Sequence, residues 1–239
     1  TILDGSQLSL QIHESVGHPT EGDRVLGEEM SLAGGSFLQP DMRGQAFGSP
    51  RVNLYAEAGQ RGAAGSFGWD DEGSPNTRVD LVRDGRFVGW TTGREASARL
   101  STPAAAAMRA DTWSSIPIVR MVNINLEPGE GSLADLIGRT ERGFLVSGNR
   151  SWSIDQLRLN FQFGCEAAWE IRDGELGALH RDPVYTGITP TFWGNCDAIC
   201  GPEEWHNWGW AFCGKGDPIQ IMHVGHGCAP ARFNAVRFL

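Results

Sequence analysis

The chain has 239 residues, with 20 Lys and Arg against 29 Asp and Glu, a formal net charge of −9 at pH 7. That length can bury a full core without disulfide staples and fits one large domain or two small ones, and a 40% hydrophobic content with nine Trp excludes disorder. The acidic balance argues against a nucleic-acid partner, which needs clustered Lys and Arg, and no apolar run approaches the roughly 18 residues of a membrane span.

The first predicted element is a helix over residues 3–17, capped by Asp4 or Ser6. The 32 glycines are nearly twice the usual share of about 7% and follow no three-residue period, which excludes collagen. The Gly-rich stretch 59-GQRGAAGSFGWDDEGSP-75 reads as a long loop within one domain, because strands resume on both sides. In 78-RVDLVRDGRFVGWTT-92, Val79 and Leu81 alternate with polar residues and Asp84-Gly85 supplies a two-residue hairpin turn. Residues 93–110 are ambiguous, and Pro103 breaks any helix there. The segment 116-IPIVRMVNINLEPGEG-131 alternates as a strand and stops at Pro128-Gly129. A second helix is predicted over 131–143, with Ser132 as N-cap, Asp135 three residues on and Gly143 as its stop. Period-two runs fill 143–177, with another turn at Asp173-Gly174, and 217–239 predicts one or two strands. Many short strands with few helices predict an α+β fold of mainly antiparallel sheets, in a single domain over 1–239.

The five cysteines are Cys165, Cys196, Cys200, Cys213 and Cys228. An odd, scattered set points to reduced thiols or metal ligands rather than a disulfide framework. The first 15 residues lack a basic stretch followed by an apolar one, so no signal peptide is predicted and the expectation is cytoplasmic.

The sharpest chemical signal is 13-HESVGH-18, which a chain of this composition contains about 0.01 times by chance. Two neutral imidazoles, His13 and His18, can hold Zn²⁺ and leave room for a third protein donor and a water, with Glu14 beside that water as general base. Five residues span roughly 140° of an ideal α-helix, so a continuous helix aims the two rings apart. Gly17 before His18 and Pro19 after it predict a helix that stops near Gly17, letting His18 swing back. The competing reading is a pair of surface histidines at a helix C-terminus, where cations are favoured. Third-ligand candidates are Cys213 in the glycine-flanked turn 212-FCGKG-216, the cluster His223, His226 and Cys228, and the pair Cys196 and Cys200. Each has a plainer reading as a buried small hydrophobe or a strand residue, and spacing does not choose among them.

Other features carry weaker signals. Asp70-Asp71-Glu72 reads as an acidic turn before Gly73, with cation or amine binding as the rival. The tryptophans of 205-WHNWGW-210 fit a substrate cleft or core packing equally. Lys215 reads as a solvated loop lysine, with oxyanion stabilisation as the rival. Arg43, Arg51 and Arg61 are unranked candidates for a peptide carboxylate.

The ordered blocks 13-HESVGHPTEGD-23, 26-LGEEMSLAGGSF-37, 65-GSFGWDDEGSPNTRVDLVRDGRFVGW-90, 120-RMVNINLEPGEGSLADLI-137 and 212-FCGKGDPIQIMHVGHGCAP-230 resemble the TldD/PmbA metallopeptidase family over nearly the whole chain. The match corresponds to the C-terminal half of the family's usual length. The resemblance implies a zinc site of His13, His18 and Cys213, with Glu14 as general base, and assigns no ligand role to Cys196, Cys200, His223, His226 or Cys228. PmbA-type partners usually lack the HExxxH motif, so this chain looks like the TldD-type catalytic member. The resemblance further implies hydrolysis of unfolded or leader-type peptides and a homo- or heterodimer with a PmbA-type subunit, or assembly with a separate N-terminal half. Two rivals stand beside it: a catalytically silent peptide-binding subunit of the same fold, and a thiol-redox protein using Cys196 and Cys200. Their C-x-x-x-C spacing is poor for the second.

Overall fold

The computed structural model describes residues 1–239. Its strands in chain order are β1 (Ile2–Leu3), β2 (Leu54–Glu57), β3 (Arg78–Arg83), β4 (Arg86–Phe87), β5 (Met108–Arg109), β6 (Ile118–Val119), β7 (Ile124–Leu126) and β8 (Arg142–Ile154). These are followed by β9 (Asn160–Arg172), β10 (Glu175–Arg181), β11 (Val184–Ile188), β12 (Cys196–Ile199), β13 (His206–Lys215), β14 (Gln220–Cys228), β15 (Ala231–Phe233) and β16 (Arg237–Phe238). The α-helices are α1 (Gly5–Ile12), α2 (Gly22–Val25), α3 (Arg94–Arg99), α4 (Leu133–Gly138) and α5 (Thr189–Gly194). None is long and apolar enough to cross a membrane.

The long pair β8–β9 runs antiparallel from Arg142↔Arg172 to Ile154↔Phe161. It is the spine of an eight-stranded sheet ordered β12-β15-β1-β8-β9-β11-β16, with β10 also on β9. Only β1 on β8 is parallel within it. A second sheet is ordered β4-β3-β2-β7, and the hairpin β13–β14 joins it through a parallel bridge, Asn123↔Gly225. The architecture is α+β with mainly antiparallel sheets, as the alternation predicts.

Helix α1 is packed against β7, β8, β13 and β14. Asp4 caps it, accepting from the Gln7 N–H at 2.9 Å, a contact of about 1 kcal/mol. Leu8, Leu10 and Ile12 enter the largest core cluster with Phe161, Phe163, Tyr185, Trp193 and Phe233. The helix is buried on its polar positions too, and apart from the Gln7 side-chain oxygen these are bonded in a ladder. Gln7 donates to the Tyr185 hydroxyl (3.0 Å), which donates to Gln11 (2.9 Å), while Gln11 and Trp193 both donate to the Ser15 hydroxyl. Such a ladder fixes the helix's rotation and height, because breaking any rung strands a buried polar group at a cost of about 1–3 kcal/mol.

The turns at Asp84-Gly85 and Asp173-Gly174 form with positive φ at all four residues, as two-residue hairpins with right-handed strand twist demand. Ser132 and Asp135 make the predicted capping box at α4. That helix ends early, at Gly138, and Gly143 lies inside β8. The carbonyls of Thr140 and Glu141 accept instead from Gly174 and Asp173, so the chain leaves the helix to pair with the β9–β10 turn. Segment 116–131 also departs from simple alternation: every residue from Val119 to Leu126 is buried. Its polar positions point inward because partners wait there. Asn123 holds Gly65, Glu57 and Ser66, and Asn125 holds Gly227 and Gln60. These bonds pin the Gly-rich stretch, which is a loop within the fold.

Candidate metal centre

The segment carrying the two histidines does not stop at Gly17. It widens. Residues His13–Gly17 form one π-helical turn that passes directly into a 3₁₀ turn at His18–Thr20. The His18 N–H donates to the His13 carbonyl, an i→i+5 bond, so residues five apart stack on one face. Gly17 stays helical, with φ −58° and ψ −60°, and His18 remains helical despite Pro19. Glycine is required here for space: a Cβ on Gly17 would overlap the Met121 sulfur. The rings of His13 and His18 end 4.8 Å apart, edge to face.

Cys213 arrives from the other end of the chain, on strand β13 rather than in a turn. Before it the register slips. Trp210 pairs with Val224 but Cys213 with Met222, so three steps on β13 face two on β14. This bulge reverses which side chains face in. Trp208 and Trp210 are inward and half-buried ahead of it; Cys213 and Lys215 are inward and fully buried after it, leaving Phe212 86% exposed.

The donor atoms of His13, His18 and Cys213 lie within 4.8 Å of one another, and Cys213 Sγ stands 3.9 Å from His18 Nε2. Hydrogen bonds assign the imidazole tautomers. His226 Nδ1 must donate to the Ile124 carbonyl (3.2 Å), so His226 Nε2 accepts from His13 Nδ1 (2.8 Å) and the lone pair of His13 is at Nε2. His18 Nδ1 donates to Glu21 (3.0 Å), leaving its Nε2 free as well. Bonds of about 2.0–2.3 Å in a tetrahedron set donors roughly 3.3–3.8 Å apart, so this set fits an ion by closing about 1 Å at its widest. Two imidazoles and a thiol with one position left open suit a borderline-soft divalent ion. Burial holds His13 and His18 below their usual pKa, which favours the neutral, ligating form. Burial pushes the Cys213 thiol up, while the neighbouring His18 ring, when charged, and the Arg120 guanidinium pull it down, and the net shift is downward.

Behind the donors sits a buried charged network. Glu21 accepts from His18 and from Arg24 Nε (2.7 Å), and from the Met121 N–H. Burial opposes its charge, but Lys215, Arg24 and His18 hold its carboxyl well below the ordinary range. Lys215 is neither a solvated lysine nor near an open oxyanion position. Its ammonium bonds both oxygens of Asp23 at 2.7 Å and the Val119 carbonyl at 2.6 Å. Arg120, also buried, donates to the carbonyls of Gln220 and Cys213. The strand bearing Cys213 is thereby locked onto the segment bearing the histidines.

Glu14 is buried beside His13, and its Oε2 accepts from Arg158 at 2.9 Å. Trp205 and Trp210 donate to Leu126 and Ser9, the Trp210 ring lies 6.0 Å from that of His13, and Trp208 packs against the core with its indole N–H unpartnered. The Asp70-Asp71-Glu72 turn is a clamp. Its carboxylates accept from the N–H groups of Glu72, Ser74, Met108, Ala110 and Arg94. Arg43, Arg51 and Arg61 are exposed, as is His223. Cys196 and Cys200 are free and buried, and burial pushes both thiols up to about 12, which leaves the thiol-redox reading without a reactive thiolate.

Sequence reasoning missed Glu21 and Arg158, and weighed His226 as a ligand rather than as the partner that orients His13. The i,i+3 spacing of His18 and Glu21 is a readable carboxylate–imidazole signal, whereas His226 and Arg158 meet the motif only through tertiary folding. Removing the His226 acceptor frees the His13 ring to rotate and change tautomer. His226→Ala is therefore expected to weaken metal binding about 10–100-fold, measured by competition with a chromogenic chelator; unchanged affinity rejects the relay.

Across residues 1–236 the chain matches the family described as PmbA/TldA metallopeptidase C-terminal domain. It belongs to the PmbA/TldD family. A metalloprotease of Methanocaldococcus jannaschii is 30% identical over 227 residues, covering 95% of this chain and 48% of that protein. A Synechocystis metalloprotease is 31% identical over 216 residues, covering 90% and 44% respectively. A zinc metalloprotease TldD homolog of Saccharolobus solfataricus is 25% identical over 230 residues, covering 94% of this chain and 48% of that protein. The chain thus spans about half the length of these relatives. The crystal structure of TldE from Thermococcus kodakarensis superposes with a TM-score of 0.77 at 20% identity, covering 99% of this chain and 49% of that one, which shows a shared fold.

Proposed function

We propose that the chain is the catalytic domain of a zinc-dependent peptidase, with His13, His18 and Cys213 as ligands and Glu14 as general base. The observation carrying this reading is the convergence of three lone-pair donors, two of them 195 residues apart in sequence, beside a carboxylate. Bound Zn²⁺ would polarise the scissile carbonyl and bring the pKa of its water toward about 7. Glu14 then takes the water's proton and passes it to the leaving amine. Glu21 and His226 hold the two imidazoles in the ligating tautomer. Strand β13 pairs only with β14, so its other edge is open for an extended peptide to add as a strand, bonding through main chain with little sequence preference. Unfolded or leader-type peptides suit such a site. A PmbA-type subunit, or the other half of the family's length as a separate chain, would complete the enclosure, and the cytoplasm suits five reduced thiols. A silent peptide-binding subunit is the alternative. The test is chelation: stripping metal abolishes cleavage of an unfolded polypeptide and Zn²⁺ restores it, while binding without cleavage in the metal-loaded protein establishes the silent subunit.

A further inference from the structure

Arg158 stands out among the buried cations. It lies at the tip of the β8–β9 hairpin, 144 residues from Glu14 in sequence, yet its guanidinium reaches the HExxxH segment. Its backbone is left-handed, with φ 64°, an unfavourable region for a long side chain. The tip is built to hold it there. Asp155 accepts from the N–H groups of Leu159 and Asn160 and from the Asn160 amide, and its carbonyl takes the Arg158 N–H. The Thr189 hydroxyl bonds the Arg158 carbonyl. One guanidinium nitrogen then donates to Glu14 Oε2 at 2.9 Å and the other to the Ala33 carbonyl at 3.1 Å. Glu14 Oε1, by contrast, takes no hydrogen bond from the protein and is not sealed from solvent.

Backbone strain held by surrounding bonds marks sites where orientation matters. A carboxylate on a flexible stem has two equivalent oxygens and several rotamers, and only some present an oxygen to the reacting water. We propose that Arg158 is the positioning residue for Glu14: by anchoring Oε2 it leaves Oε1 as the single oxygen able to accept a proton at the metal centre. This rests on Glu14 being the base.

The test uses the full chain loaded with Zn²⁺, with Arg158→Ala, Arg158→Lys, Glu14→Gln and the double variant Arg158→Ala/Glu14→Gln. Two readouts are taken: kcat and KM on an unfolded polypeptide, and the affinity of acetohydroxamate, whose acidic proton needs a carboxylate acceptor beside the metal. Arg158→Ala should keep one metal per chain, lower kcat by about 10–100-fold with KM within about twofold, and weaken acetohydroxamate by about tenfold. Arg158→Lys should recover part of both, and the double variant should be no worse than Glu14→Gln alone. The proposal is overturned if Arg158→Ala leaves kcat and acetohydroxamate affinity unchanged, or if its loss adds in full to that of Glu14→Gln. If Glu14→Gln itself changes neither readout, what fails is the assignment of Glu14 as base.

Discussion

Glu14→Gln should lower kcat for peptide hydrolysis by about 10²–10⁴-fold while the protein keeps its metal. The amide matches the carboxylate in size and can still sit beside Arg158, so the buried pocket around residue 14 stays filled. It cannot accept a proton from water, and it also leaves Arg158 without its countercharge. Metal content by elemental analysis separates this from a damaged site. A variant that hydrolyses at the wild-type rate with full metal content would exclude Glu14 as base.

Cys213→Ala should remove the stabilisation that metal confers. A ligand at about 1,000 times its Kd stabilises the folded state by about 4 kcal/mol, which for a domain of this size raises Tm by roughly 10 °C. The substitution leaves two imidazoles, too few to hold the ion tightly. Calorimetry of the wild type should show the rise on adding Zn²⁺, and the variant should show little of it. The metal-free proteins should melt close together, since Cys213 is a small buried side chain whose loss opens little volume. An undiminished rise in Cys213→Ala rejects the third donor.

Much of the fold is legible in local chemistry. Asp84-Gly85 and Asp173-Gly174 declare hairpins because only such residues tolerate both positive φ values. Asp4 and Ser132 declare helix starts through their side-chain oxygens. The motif residues His13, Glu14 and His18 are legible because they are adjacent in sequence. What local chemistry cannot give is direction. The π turn at His13–Gly17 packs against a tertiary partner, Met121 over Gly17, so a pattern built on ideal helix geometry misplaces His18. Cys213 is one of five thiols until a register slip in β13 turns it inward. Arg120 and Asn123 fall on opposite faces of an alternating strand, yet both fill buried positions because carbonyls from β13, β14 and β2 need donors there. Arg158 gives no local signal, since its role exists only where a hairpin tip touches a helix.

The π turn and the β13 bulge share a consequence for how the site can change. Each is a regular element carrying one surplus residue, and each aims a donor by that surplus. The candidate metal centre therefore depends on the phase of these two elements as much as on residue identity. Substituting Ala211 or Phe212 leaves the phase of the strand intact, and deleting either would restore regular pairing with Cys213 still inward opposite Met222, whereas closing the bulge without a deletion would bring Phe212 inward in its place. Between His13 and His18, loss of one residue would likewise restore an ordinary α-helix, with the two rings four apart and still on one face. Sequence variation in this part of the fold is thus expected to accept a one-residue deletion that removes the irregularity and keeps the donors in phase.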